Sequence, residues 1–121
     1  MYYGDVMLWE VVIHVEVQSW LAALPISDQT NIVAALRVLS ENGPSLGRPL
    51  VDSIKGSAHP NMKELRVGNY RLLFAFDPVR NAIILVGGNK RNEWQSWYKQ
   101  SIPLADHRYA EHLKKRFGEG N

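Results

Sequence analysis

Not one of the 121 residues is cysteine, which excludes a disulfide framework, a thiolate metal centre and a thiol nucleophile and suits a reducing compartment. No apolar run approaches the roughly 20 residues that a membrane-spanning helix requires. The start, Met1-Tyr2-Tyr3-Gly4-Asp5, has no basic segment followed by an apolar one, so no secretory leader is expected. The acidic residues are scattered, and neither a His-x-x-x-His nor a carboxylate pair has ligand spacing, so no metal and no other cofactor is expected. His14 and His59 read as isolated core and loop residues. Internal repeats and low-complexity segments are also missing. Together these absences predict a soluble, unprocessed cytoplasmic protein without a membrane partner. Met7 is a candidate alternative start, because patterned sequence begins at Leu8, and the Gly118-Glu119-Gly120-Asn121 tail is expected to fray.

What is present is ordinary in bulk and uneven in distribution. Apolar residues make up 45% of the chain, as expected for a single domain over residues 1–121 with a core of about 8–115. The net charge is +2. Residues 1–60 carry three basic side chains (Arg37, Arg48, Lys55) against six acidic ones, whereas residues 61–121 carry eleven against six. The positive charge therefore belongs to the C-terminal half. That imbalance suits a polyanionic partner, or pairing between the halves.

Leu8 to Val15 is rich in β-branched and aromatic residues and reads as a strand covered on both faces. Val17, Trp20, Leu21 and Leu24 then fall on one helical stripe that Pro25 closes. Ser27 or Asp28 is the expected cap of a second helix, Gln29 to Asn42, which Gly43-Pro44 stops. The two form an αα-hairpin. Ser45 to Asn61 reads as a surface connection with at most one irregular extended stretch. Met62 to Val67 and Tyr70 to Phe76 are strand-like runs flanking Gly68-Asn69, the pattern of a two-residue hairpin. Asp77 to Asn81 is a second turn, and Ala82 to Val86 is a strand buried on both faces. Pro103 stands at an expected helix start ahead of Leu104, Tyr109 and Leu113. The fold class is α+β: a small antiparallel sheet, made of the N-terminal strand and a three-stranded meander, packed on an αα-hairpin and a C-terminal helix.

A two-residue loop fixes the hairpin register, with Val67 opposite Tyr70, Arg66 opposite Arg71, Leu65 opposite Leu72, Glu64 opposite Leu73 and Lys63 opposite Phe74. Arg66 and Arg71 thus face each other on one surface, while Lys63 points to the other. Like charges directly opposite cost roughly 0.2–1 kcal/mol, so something offsets them. Glu64 or Asp77 is one answer; a phosphate, which a guanidinium fork matches through two oxygens, is the other. A second constellation follows Gly87-Gly88: Lys90 and Arg91, then Trp94, Trp97, Tyr98 and Lys99. Cations interleaved with rings suit single-stranded RNA. Trp94 and Trp97, three apart, fit core or helix packing better than stacking platforms, Lys99 better fits a solvated helix face, and Tyr98 has a polar tip able to donate a proton.

In its element order, its Leu-Arg-x-Gly-x-Tyr-Arg hairpin and its Gly-x-Lys-Arg after the last strand, the chain resembles the RelE/HigB superfamily of toxins from type II toxin-antitoxin systems, in the phage-derived HigB-like branch. The likeness runs from about Leu8 to about Leu113. It implies a basic face that binds mRNA on the ribosome and cleaves it without a metal, inhibiting translation, and a cognate helix-turn-helix antitoxin of the HigA kind. It assigns catalysis to Arg71, Arg91, Tyr98 and Lys63, and RNA binding to Arg66, Lys90 and Lys99. Arg71 matches the arginine that stabilises the transition state, whereas Tyr98 sits one residue from the family tyrosine. Glu64 stands where the family carries a basic residue, so either the acid-base chemistry differs or Glu64 is the counter-ion of the arginine pair. His107 and His112, about 140° apart around a helix, are not carried over as catalytic. Two other readings remain: a non-enzymatic ParE-like toxin that poisons DNA gyrase, and an RNA- or partner-binding module of the same fold. The nuclease reading requires cations from separate stretches to converge on one pocket.

Overall fold

A computed structural model describes residues 8–89, 91 and 94–118. Five strands, β1 (Glu10–Ile13), β2 (Val51–Ser53), β3 (Lys63–Val67), β4 (Tyr70–Phe76) and β5 (Asn81–Asn89), form one sheet in the order β1-β5-β4-β3-β2. Three helices, α1 (Val15–Ala22), α2 (Ile26–Asn42) and α3 (Trp94–Phe117), sandwich it. One face carries α1 and α2 over Val51, Leu65, Leu72, Phe74, Ala82 and Ile84. The other carries α3 over Met62, Leu73, Ala75, Ile83, Leu85 and Val86. The α+β class and the αα-hairpin stand as read from the sequence.

The β3–β4 hairpin has the predicted register at all five pairs, from Val67↔Tyr70 to Lys63↔Phe74. β5 is buried on both faces as its apolar run implies. A bulge between Leu73 and Phe74 pairs Leu73 with Val86 and Phe74 with Ile84. Since strand side chains alternate, the extra residue, Leu85, turns Val86 toward α3, Gly87 toward α1 and Gly88 toward α3. A Cβ on Gly87 would collide with the Trp20 ring, and one on Gly88 with the Trp97 ring. The two glycines let an indole lie flat on each side of the strand.

Several boundaries differ from expectation, each for a packing reason. β1 joins β5 in parallel at the edge of the sheet, so it is half covered, and Val12 is exposed rather than buried. β2 adds an antiparallel strand beyond β3 within the stretch read as a connection. Helix α2 starts at Ile26, after Pro25, without a side-chain cap. Ser27 and Asp28, the expected caps, lie inside its first turn, and the Asp28 carboxylate accepts the Tyr70 hydroxyl at 2.7 Å. Gln29 instead ties the α1–α2 turn, donating to Leu24 O at 2.8 Å. Pro103 lies inside α3, which begins nine residues earlier, at Trp94. An interior proline costs a helix about 3 kcal/mol; here Trp97, Tyr98 and Ile102 ahead of it pack against the α3-side core and hold the first turns in place.

Candidate active site

The α3 face of the sheet carries a polar cluster centred on Glu64 of β3. Glu64 is 1% exposed, a position a carboxylate occupies only when it is paired. Arg66, two residues along the same strand face, donates from Nε to Glu64 Oε2 at 2.9 Å. The Tyr98 hydroxyl, from the first turns of α3, donates to Glu64 Oε1. Arg71, opposite Arg66 on β4, brings Nε to 4.0 Å from Glu64 Oε2. Arg66 also reaches Asp52 of β2 at 3.2 Å, and Arg48 reaches the same oxygen at 3.1 Å. The like-charge pair predicted from the register is offset by a carboxylate between the two guanidinium groups.

The two arginines are not equivalent. Arg66 has a side chain 38% exposed and can turn toward a ligand. Arg71 is 11% exposed, and its Nη1 is held by the carbonyls of Gly68 at 2.7 Å and Tyr70 at 2.8 Å. Among the described residues its Nε is buried without a hydrogen-bond partner. A buried N–H in that state carries a desolvation cost of about 1–3 kcal/mol. Arg71 is thus a rigid cation, fixed by its own hairpin and aimed at the cluster. Burial, then Glu64, push the Tyr98 hydroxyl up to about 12, so it keeps its proton at neutral pH. The hydrogen bond to Glu64 raises the Arg66 pKa against the effect of its burial. The Arg48 hydrogen bond holds Asp52 below the usual carboxylate range.

The remaining predicted residues are distributed elsewhere. Lys63 sits on the opposite face of β3, as alternation requires, and lines a cavity of about 290 Å³ beside Leu46, Gly47 and Ser53. Arg91 is exposed; with Asp28, Asn31, Tyr70 and Asn89 it borders a cavity of about 200 Å³ at the hairpin turn. Its amide donates to Asn89 Oδ1 at 2.9 Å. The Asp28 hydrogen bond raises the Tyr70 pKa there, while Arg91 works in the other direction. Lys99 is exposed on α3 beside Tyr98. Lys90 and the Trp94 side chain lie outside the described residues. The structure therefore unites Arg66, Arg71 and Tyr98, and separates Lys63 from them. Among the described residues no group of three His, Cys, Asp or Glu side chains is arranged to hold a metal ion.

Sequence reasoning missed Asp52, since its strand was read as a connection; Trp97, read as a packing residue, does pack on the core, but its contact with Gly88 opposite Arg71 was not foreseen. A Gly-Gly pair ending a buried strand was the available signal for that close approach. His112 was also missed: its Nε2 lies 2.9 Å from Asp77 Oδ2, a pairing between residues 35 apart that no local pattern announces.

The family model of phage-derived Gp49-like proteins (DUF891) matches residues 19–110. HigB3 of Mycobacterium tuberculosis (strain ATCC 25618 / H37Rv), named as a toxin, is 42% identical over 112 residues, covering 91% of this chain and 98% of its own. HigB2 of the same organism, also named as a toxin, is 49% identical over 102 residues, which is 80% of this chain; the chain spans about half of HigB2, 51%. A mutant of the E. coli toxin RelE in the free state superposes with a TM-score of 0.60 at 15% identity, covering 80% of this chain and 97% of that one. The archaeal RelE of the Pyrococcus horikoshii OT3 RelE-RelB complex does so with a TM-score of 0.57 at 21% identity, covering 68% and 94%. The last two establish a shared fold. With the family match over most of its length and HigB3 aligned nearly end to end, the chain belongs to the phage-derived Gp49-like family, the HigB branch of the RelE/HigB toxins of type II toxin-antitoxin systems.

Proposed function

We propose that the chain is an mRNA endoribonuclease that works on the ribosome and inhibits translation, and that a cognate antitoxin of the helix-turn-helix, HigA-like kind silences it in the cytoplasm. The observation that carries this reading is the convergence of Arg66, Arg71 and Tyr98, from two strands and a helix, on one point of the sheet. Cleavage requires an RNA 2′-oxygen to attack the adjacent phosphorus, its proton to leave, charge on the non-bridging oxygens to be stabilised and the 5′-oxygen to depart. Arg66 supplies the accessible guanidinium and Arg71 the fixed one; preorganised charge of this kind is usually the largest catalytic contribution. Tyr98 passes its hydroxyl proton to Glu64 as its oxygen takes the proton of the 2′-hydroxyl; water protonates the departing 5′-oxygen, and the hydroxide left takes the proton back from Glu64, which restores the cluster. No metal is needed for these steps. Arg91, Lys90 and Lys99 bind the backbone on either side. Lys63 has no part in proton transfer, because it lies on the other face.

An antitoxin partner is supported by the neighbours' own state, since the Pyrococcus protein was solved as a RelE-RelB complex. The decisive experiment compares translated mRNA, free mRNA and plasmid supercoiling in the presence of wild-type, Arg71→Ala and Tyr98→Phe protein. Wild type is expected to cut translated message, and Tyr98→Phe to cut it about 10²–10⁴-fold more slowly, the range of general acid–base catalysis. Intact message with lost gyrase supercoiling would replace this reading by the ParE-like one. Arg71→Ala protein that is less stable but equally growth-inhibitory would favour a binding module.

A further inference from the structure

The C-terminal half of α3 takes no part in the Glu64 cluster. It overhangs the β1 edge of the same sheet face and encloses a cavity of about 190 Å³. The floor is apolar, made by Val12, Ile83 and Leu85, and the wall is polar, made by His14, Arg108, His112 and Lys115 with one acid, Glu111.

The proton positions on this wall follow from its partners. Burial alone would push Asp77 up, but hydrogen bonds from His112, Asn81 and Val79 outweigh it and hold this buried carboxyl below the usual range. An ionised carboxylate only accepts, so the His112 Nε2 that contacts it carries a proton and Nδ1 is the ring position left over. His14 is the reverse case. It caps α1 by accepting the Glu16 amide on Nδ1 at 3.1 Å, so its neutral ring bears the proton on Nε2. Burial, followed by the charge of Arg108, keeps the His14 pKa below its usual value. Arg108 is anchored by one nitrogen, Nη1, on Leu85 O at 2.7 Å. Lys115 is exposed one turn of α3 beyond Glu111. Glu111, the one acid of this wall, is exposed and lies 3.5 Å from His107 one turn earlier.

Two permanent cations and an N–H donor against a single carboxylate leave the recess net positive over an apolar base. We propose that this cavity is a binding site for a phosphate ester, whose phosphoryl oxygens take Arg108, Lys115 and His14 Nε2–H while its organic part rests on Val12, Ile83 and Leu85. A phosphomonoester, with close to two negative charges and three terminal oxygens, can engage both cations and the ring N–H at once; a carboxylate has one charge and two oxygens for three donors. The site is separate from the Glu64 cluster and does not depend on the ribonuclease reading.

The test follows the His14 and His112 ring nitrogens of the full chain by NMR while adenosine 5′-monophosphate, inorganic phosphate, adenosine or acetate is added at constant ionic strength. Saturable shifts of both rings are expected with the nucleotide, weaker saturation with inorganic phosphate, and no saturation with adenosine or acetate. Lys115→Gln, a change at an exposed position, is expected to weaken nucleotide binding by about tenfold, the effect of one charged hydrogen bond, with the far-ultraviolet circular dichroism of the free protein unmoved. Arg71→Ala is expected to bind the nucleotide as wild type does. Absence of a saturable response to the nucleotide, an acetate response of equal strength, or wild-type affinity in Lys115→Gln would overturn the proposal.

Discussion

At the scale of single residues, Glu64 decides the character of the cluster. Removing one partner of a buried ionic group leaves the others uncompensated, which costs far more than the pair contributes as a whole. Glu64→Gln keeps the shape but strips the charge that Arg71, held by two carbonyls, cannot replace. The expected loss is about 2–4 kcal/mol, less than for a fully buried pair because Arg66 reaches solvent, and denaturant unfolding measures it. An unchanged midpoint would mean that the arginines are satisfied by other means. The pairing of Arg66 with Arg71 and the opposite orientation of Lys63 were legible from Gly68-Asn69 and period-two alternation. The choice between phosphate and Glu64 as the neutralising group was not, because Glu64 precedes Arg66 by two residues in either case and only burial distinguishes a counter-ion from a bystander.

At the scale of elements, the bulge in the β4–β5 pair matters most. It shifts the facing of β5 by one residue, and the flat seats for Trp20 and Trp97 depend on that shift. Gly87→Ala and Gly88→Ala are each expected to destabilise by about 1–3 kcal/mol, the usual cost of overpacking. Thermal unfolding reads the loss, and near-ultraviolet circular dichroism reports the displaced indoles. Tolerance at Gly88 would mean that Trp97 moves freely, and with it the neighbouring Tyr98. The apolar run of β5 announced its burial, but a bulge leaves no mark in a continuous run of apolar residues. Pro103 misled for a related reason: local chemistry favours a helix start there, whereas the rings of Trp97 and Tyr98, six and five residues earlier, gain more by packing than the proline costs.

At the scale of the whole molecule, acid should undo the fold through Asp77. Its folded pKa lies below its unfolded one, so its stabilising contribution is full above the unfolded value of about 3.8 and is lost as pH falls through the lower, folded value. Asp77→Asn is expected to lower stability at neutral pH and to flatten the acid limb of a stability-against-pH curve; parallel limbs would assign acid unfolding to other carboxylates. Element order and the two-sided burial of β5 were visible in the sequence because they rest on local periodicity. The place of β1 in the sheet was not, since its partner lies some seventy residues away. That placement governs the order of assembly. The first strand to leave the ribosome docks beside the last, so during synthesis its inner edge waits for β5, and a nascent chain stopped before Asn81 lacks the strand that joins β1 to β4 and that carries Ile83, Leu85 and Val86 of the α3-side core. Completion of both helical layers is therefore a late event in the life of each new molecule, and the machinery on α3 comes into being only with it.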